Sequence, residues 1–203
     1  MQAEVAILLF AKAPVDGQVK TRLQPFLCSQ QATRLYRMML GNAIDTAKEV
    51  SEADLQIYCA GGIHHEFWSS YESSLALHEQ YGADLGERMY HAVEAAMQDY
   101  SPVILIGADC PQLNAEYIKQ AVDLLAQGYD AVIGPATDGG YVLLGLNRVD
   151  WGVFSAIEWG KDSVLEDTQT NLLRLGWSFQ LLSALSDIDR PEDLSKLPVG
   201  WSY

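Results

Sequence analysis

The chain of 203 residues has little of what marks secreted, membrane-spanning or nucleic-acid-binding proteins. Its three cysteines, Cys28, Cys59 and Cys110, stand too far apart to suggest a disulfide framework or a zinc knuckle built from cysteine pairs. That usage fits a reducing compartment, and a cytoplasmic location is expected. Positive charge is scarce: 13 Lys and Arg stand against 27 Asp and Glu, a formal net charge of -14. This balance argues against broad attraction to nucleic acid or to an anionic membrane, which needs clustered Lys and Arg. Long apolar runs are missing too. Val5 to Phe10 is too short to span a bilayer, and Met1 to Glu4 before it lacks the basic start of a secretory signal, so the run reads as a buried strand. No repeat or low-complexity tract is visible. With 49% hydrophobic and 20% charged residues, residues 1–203 are expected to form one domain around one core.

Short apolar or β-branched runs, each bounded by Gly, Pro or Asp, predict strands at Val5 to Phe10, Leu55 to Ala60, Val103 to Ile106, Ala131 to Ile133 and Tyr141 to Leu146. The first and third are apolar on both faces, as a covered parallel sheet requires. Helical spacing links Leu35, Met39, Ala43 and Ala47, and again Leu85, Met89, Val93 and Ala96 behind a capping box of Asp84 and Glu87. A third stripe (Ile118, Ala121, Val122, Leu125) follows Asn114, and a fourth (Leu165, Thr168, Leu172, Leu175) follows a second capping pair, Ser163 and Glu166. Alternating strands and helices predict an α/β fold, a single doubly wound, mostly parallel sheet with helices on both faces. Such sheets bind ligands beyond the carboxyl ends of their strands.

Polar and glycine-rich segments gather at those ends. After the first strand, Lys12, Lys20 and Arg22 lie within eleven positions, a local exception in an acidic chain. Together with Gly17, where the backbone can turn closely, they suit a polyphosphate, although the loop is neither a Walker A motif nor a GxGxxG fingerprint and a solvated turn is the competing reading. After the third strand, Asp109 is placed either to hold Mg²⁺ or Mn²⁺ or to cap a turn, with Cys110 as packing. Asp138 before Gly139 and Gly140 is a second ligand, a base towards an acceptor hydroxyl, or a turn corner. Of Asp187 and Asp189, Asp189 is the candidate ligand, against a helix N-cap role. Among Trp151, Phe154, Trp159 and Trp177, some line an acceptor groove or all pack the core, and Glu158 can orient an acceptor hydroxyl or serve as a base. The four histidines show no zinc spacing.

With these residues in place the chain resembles the DUF2064 family, small bacterial proteins described as glycosyltransferases of the GT-A superfamily and sometimes associated with arsenosugar biosynthesis. The likeness rests on Phe10-Ala11-Lys12-Ala13-Pro14 with Gly17 and Lys20-Thr21-Arg22-Leu23, then Gly107 to Pro111, Gly134 to Tyr141, Phe154 to Thr168, and Asp187 to Leu194, in the family's order over almost the whole chain. It implies a nucleotide-diphospho-sugar transferase (GT-A) fold, similar more distantly to molybdenum-cofactor guanylyltransferases. By resemblance, Ala11, Lys12, Gly17, Lys20 and Arg22 would bind the nucleotide and Asp109 the divalent metal, with Asp189 as a second ligand; Gly139, Gly140, Tyr141 and Trp159 would face the acceptor; Asp138, Glu158, Lys20 and Arg22 would take part in catalysis. The chain departs from the family in having Asp16 where relatives commonly have proline, and from many GT-A transferases in having Gly107-Ala108-Asp109 in place of Asp-x-Asp. The expected activity is metal-dependent transfer of a sugar from a nucleotide-diphospho-sugar donor to the hydroxyl of a small-molecule acceptor. Nucleotidyl transfer from a nucleoside triphosphate to a phosphorylated small molecule uses the same parts, and nucleotide binding without catalysis is the third reading.

Overall fold

A computed structural model describes residues 4–24, 26–71 and 75–201; Met1 to Ala3 of the sequence reading lie outside the described residues. The named elements are β1 (Val5–Lys12), α1 (Ser29–Lys48), β2 (Ala53–Ala60), β3 (Ala76–Glu79), α2 (Leu85–Ala96), β4 (Val103–Gly107), α3 (Ala115–Ala126), β5 (Ala131–Pro135), β6 (Tyr141–Leu146), α4 (Val164–Arg174) and β7 (Phe179–Leu181). The strands form one sheet in the order β3-β2-β1-β4-β6-β5-β7, in which only β6 runs antiparallel to its neighbours. This is the expected doubly wound, mostly parallel sheet.

The strand alternation of β1 divides the interior into two layers. Val5, Ile7, Leu9 and Ala11 pack with α1 and α3, whereas Ala6 and Leu8 pack with α2 and α4. Both faces are therefore dry, and that is why β1 and β4 read as continuous apolar runs. Phe154 and Trp177 belong to the second layer, so they pack core rather than line a ligand groove. Two polar edge strands, β3 and β7, escape the sequence reading because Ala76–Glu79 and Phe179–Leu181 lack an apolar run.

Helix starts follow the local chemistry. Asp84 accepts from the Glu87 N–H, and the Glu87 carboxylate accepts from the Ala83 N–H, closing the box one residue early. Asn114 accepts from the Tyr117 N–H at 2.9 Å. The second capping pair is not formed: Ser163 has helical backbone angles, and its hydroxyl donates to Asp167 instead of accepting from Glu166. In α4 the buried stripe is Val164, Thr168, Asn171 and Leu172, with Leu165 and Leu175 only partly covered.

Chain order reverses between β1 and β4, which opens the crevice at their carboxyl ends. Because β6 is antiparallel, the turn at 136–140 that links β5 to it comes to the same end of the sheet. Removing the α3 cap by Asn114→Ala should lower stability by about 1 kcal/mol, read from the urea midpoint at unchanged slope. An unshifted midpoint would show that the cap contributes nothing.

Candidate functional site

The loop after β1 carries a buried lysine in an unusual conformation. Lys20 has φ 49° and ψ 41°, a left-handed geometry that costs a non-glycine residue about 1–2 kcal/mol. Its ammonium lies 3.0 Å from Asp109 Oδ2, just beyond β4, and 3.6 Å from Asp189 Oδ1 in the C-terminal segment. Arg22, one turn on and exposed, donates to Asp189 Oδ2 at 2.7 Å, which holds its guanidinium above the ordinary arginine pKa. A backbone bond from the Ile188 N–H to the Asp109 carbonyl ties the same two segments. Lys20, Arg22, Asp109 and Asp189, distant in sequence, thus form one charged constellation.

A 560 Å³ cleft lies over the end of β1, lined among others by Lys12, Lys20, Arg22, Arg88, Gln80 and Asp109. Ala11 lines it through the backbone of β1, which two side chains hold in place. Tyr36 on α1 donates its hydroxyl to the Lys12 carbonyl and accepts from the Lys12 N–H, and Gln80 donates to the carbonyls of Ala11 and Tyr58. Burial first, and the Asp109 charge second, push the Tyr36 phenol far upward, so it stays neutral. Lys12 and Arg88 form no ion pair among the described residues; Arg88 donates its Nε–H to the Gly82 carbonyl at 3.0 Å, which leaves its other N–H groups for an anion. Gly17, at φ 78°, shapes the turn, while it and Asp16 are exposed and do not line this cleft.

On the other side of Arg22 a 510 Å³ cleft is lined by Thr137, Asp138, Lys161, Asp187, Arg190 and their neighbours. A smaller 160 Å³ cavity brings Asp109, Asp138 and Asp187 together. Burial, and then the negative charge of Asp138, raise the Asp187 carboxyl to about 6. Asp109 Oδ1 is buried and has no hydrogen-bond partner among the described residues. No group of three His, Cys, Asp or Glu forms a ready metal centre among those residues. Three hard carboxylates around a small cavity, one with an unanswered oxygen, nevertheless have the donor chemistry of Mg²⁺ or Mn²⁺, which take few protein ligands and complete their shell with water and phosphate.

Asp138 serves its own turn, accepting from the Gly140 N–H, and also faces the second and third of these spaces. Gly140, Tyr141 and Trp159 line a further, apolar slot beside it. Glu158 is exposed and lines none of the clefts. Tyr36, Gln80, Arg88 and Lys161 were not singled out from sequence: each reaches the site from a different element, and none sits in a local pattern that marks it.

The profile described as "Uncharacterized protein conserved in bacteria (DUF2064)" matches residues 43–161. The chain belongs to this family. A Desulfovibrio desulfuricans structure called a putative nucleotide-diphospho-sugar transferase is 34% identical, with a TM-score of 0.85 over 93% of this chain and 84% of that one. A 2-phospho-L-lactate guanylyltransferase from Methanobrevibacter smithii is 26% identical over 126 residues, which is 61% of this chain; the chain spans only 54% of that relative's length. The fold extends to the 4-diphosphocytidyl-2C-methyl-D-erythritol synthase of Anaerococcus prevotii, 11% identical with a TM-score of 0.61 over 94% of this chain and 95% of that one. It extends also to a Mycobacterium tuberculosis protein solved with manganese, 15% identical, TM-score 0.55, covering 98% and 100%. The architecture is thus that of the nucleotide-diphospho-sugar transferases and nucleotidyltransferases. None of these matches bears on arsenosugars. Among the described residues no helix is long and apolar enough to cross a membrane.

A glycine sets the turn that carries Asp138 against the loop that carries Lys161. At Gly139, φ is 92°, a Cβ would stand 2.1 Å from the Asp162 carbonyl oxygen, and the Gly139 carbonyl accepts from the Leu165 N–H. Gly139→Ala should therefore destabilise by at least about 2 kcal/mol, roughly 4–8 °C in a melt. An unchanged melting temperature would show that the 160–163 loop does not rest on this turn.

Proposed function

We propose that the protein is a nucleotidyltransferase, in which a phosphorylated small molecule attacks the α-phosphate of a nucleoside triphosphate and pyrophosphate leaves. The observation that carries this reading is the convergence of Lys12, Lys20, Arg22 and Arg88 on one cleft of a chain with net charge -14. Lys12 and Arg88 bring charge that no carboxylate answers, Lys20 and Arg22 add donors while holding Asp109 and Asp189, and the second cleft, sharing Arg22 with the first, leaves room for an acceptor. The guanylyltransferase name of the Methanobrevibacter relative supports the same reaction class.

Lys12 and Arg88 grip the outer phosphates. Arg22, fixed by Asp189, stands between the clefts where charge passes from the α-phosphate to the leaving pyrophosphate. Lys20 positions Asp109 and Asp189 and neutralises part of the acidic mouth. Asp109 and Asp187 would hold Mg²⁺ or Mn²⁺, which would supply charge neutralisation at the phosphates. Asp138 faces the acceptor, orienting its nucleophilic oxygen, and Glu158 has no part in the chemistry. Glycosyl transfer from a nucleotide-diphospho-sugar is the second reading, favoured by the name of the Desulfovibrio structure.

Product analysis separates the two. With a panel of nucleoside triphosphates, phosphorylated small acids and Mg²⁺ or Mn²⁺, pyrophosphate release should require both substrates. Asp109→Asn should lower kcat at least about 100-fold in a protein that still folds, with a melting temperature lowered by the loss of the Lys20 partner. Nucleoside diphosphate released from a nucleotide sugar, without pyrophosphate from any triphosphate, would establish the glycosyl reading instead; nucleotide binding with neither product would contradict both.

A further inference from the structure

Beside the acceptor cleft lies a 230 Å³ slot whose floor is Phe10, Met89, Leu105, Val142 and Val164, with Trp159 against it. Met89, Leu105, Val142 and Val164 are each between 4% and 6% exposed, so these walls belong to the packed core and exist before any ligand arrives. Trp159 is itself pinned: a Cβ on Gly86 would lie 2.6 Å from its indole nitrogen, so the absence of a side chain there lets the ring lie on the first turn of α2. The indole nitrogen is thereby directed at α2, and the hydroxyl of Tyr141, a residue that lines the slot, is itself buried. The floor residues have no hydrogen-bonding side-chain group, so a polyhydroxylated body would lose its water there without replacement.

The slot's mouth is different. Arg22, Asp138 and Lys161 line both it and the 510 Å³ cleft. Arg22 is engaged by Asp189, whereas Lys161 forms no ion pair among the described residues. A cation without a partner at the rim of an apolar slot matches a molecule with an anionic head and an apolar body. We infer that the acceptor is such an amphiphilic anion, with its phosphate or carboxylate at Lys161 and a body of up to about eight carbon-sized groups, at roughly 30 Å³ each, in the slot under Trp159. The word acceptor rests on the nucleotidyl-transfer reading; the binding preference does not.

Straight-chain alkyl phosphates from methyl to decyl, titrated calorimetrically without nucleotide, test it. Affinity should rise about fourfold with each added methylene until the slot is full and then level off. Val164→Phe should move that plateau to shorter chains while the affinity for nucleoside triphosphate is unchanged, because Val164 lines the slot and not the cleft of Lys12 and Arg88. Lys161→Ala, at an exposed position, should weaken every member of the series by a similar factor. If Val164→Phe does not fold, the wild-type series decides alone. A series flat from methyl upward, a folded Val164→Phe protein with the wild-type plateau, or a loss of triphosphate affinity in that variant equal to the loss for alkyl phosphates would overturn the inference, the last by making the slot a base pocket. Chain-length dependence without pyrophosphate release from any substrate pair would remove the transferase reading and leave the slot's preference standing. Pyrophosphate release to polyhydroxylated acceptors with a flat series would do the reverse.

Discussion

The site depends on one buried ammonium. Asp109, Asp138, Asp187 and Asp189 come to one mouth of a sheet in a protein already strongly anionic, and burial, followed by the negative charges of Asp138 and Asp189, raises the Asp187 carboxyl. Lys20, its side chain 4% exposed, reaches between two of them and joins the β1 loop to the end of β4 and to the C-terminal segment. The left-handed backbone at Lys20 is the local cost of that reach. Removing a carboxylate from beside a buried ammonium leaves an uncompensated charge and typically costs more than an exposed pair is worth, so this contact, although Asp109 and Asp189 are themselves partly exposed, governs the mouth in a way that the exposed Arg37–Glu66 pair cannot.

The fold makes this concentration of charge tolerable by keeping everything beneath it dry. Two apolar layers hold the strands rigid, and the antiparallel β6 returns the 136–140 turn to the end where β1 and β4 finish. A single sheet edge thereby presents a cationic cleft, an acidic cavity and an apolar slot side by side. Each has its own chemistry because each is walled by different strand ends.

How much of this is legible in the sequence follows from range. Helix starts at Asp84 and Asn114 are local, and their caps are where the residue pattern puts them. Buried strands announce themselves because both faces must be apolar; β3 and β7 do not, because an edge strand can be polar and short. In the site, the Lys12 to Arg22 loop and Asp109 stand out as polar insertions after apolar runs. Tyr36 and Gln80, which fix the backbone of that loop, carry no such mark, since what makes them useful is the fold's placing of α1 and the end of β3 against β1. Between Asp187 and Asp189 the sequence pattern puts Asp189 forward as the metal ligand. Three-dimensional pairing favours the other: Lys20 and Arg22 engage Asp189, and Asp187 shares the cavity of Asp109.

The most direct test is nucleoside triphosphate affinity in Lys20→Met, measured calorimetrically with Mg²⁺ and matched by a melt of the unliganded protein. If the buried ammonium organises the mouth, affinity falls on the order of tenfold to a hundredfold, the range of a charged hydrogen bond, in a protein that is still folded. A folded Lys20→Met protein that binds triphosphate as tightly as the wild type would contradict the account.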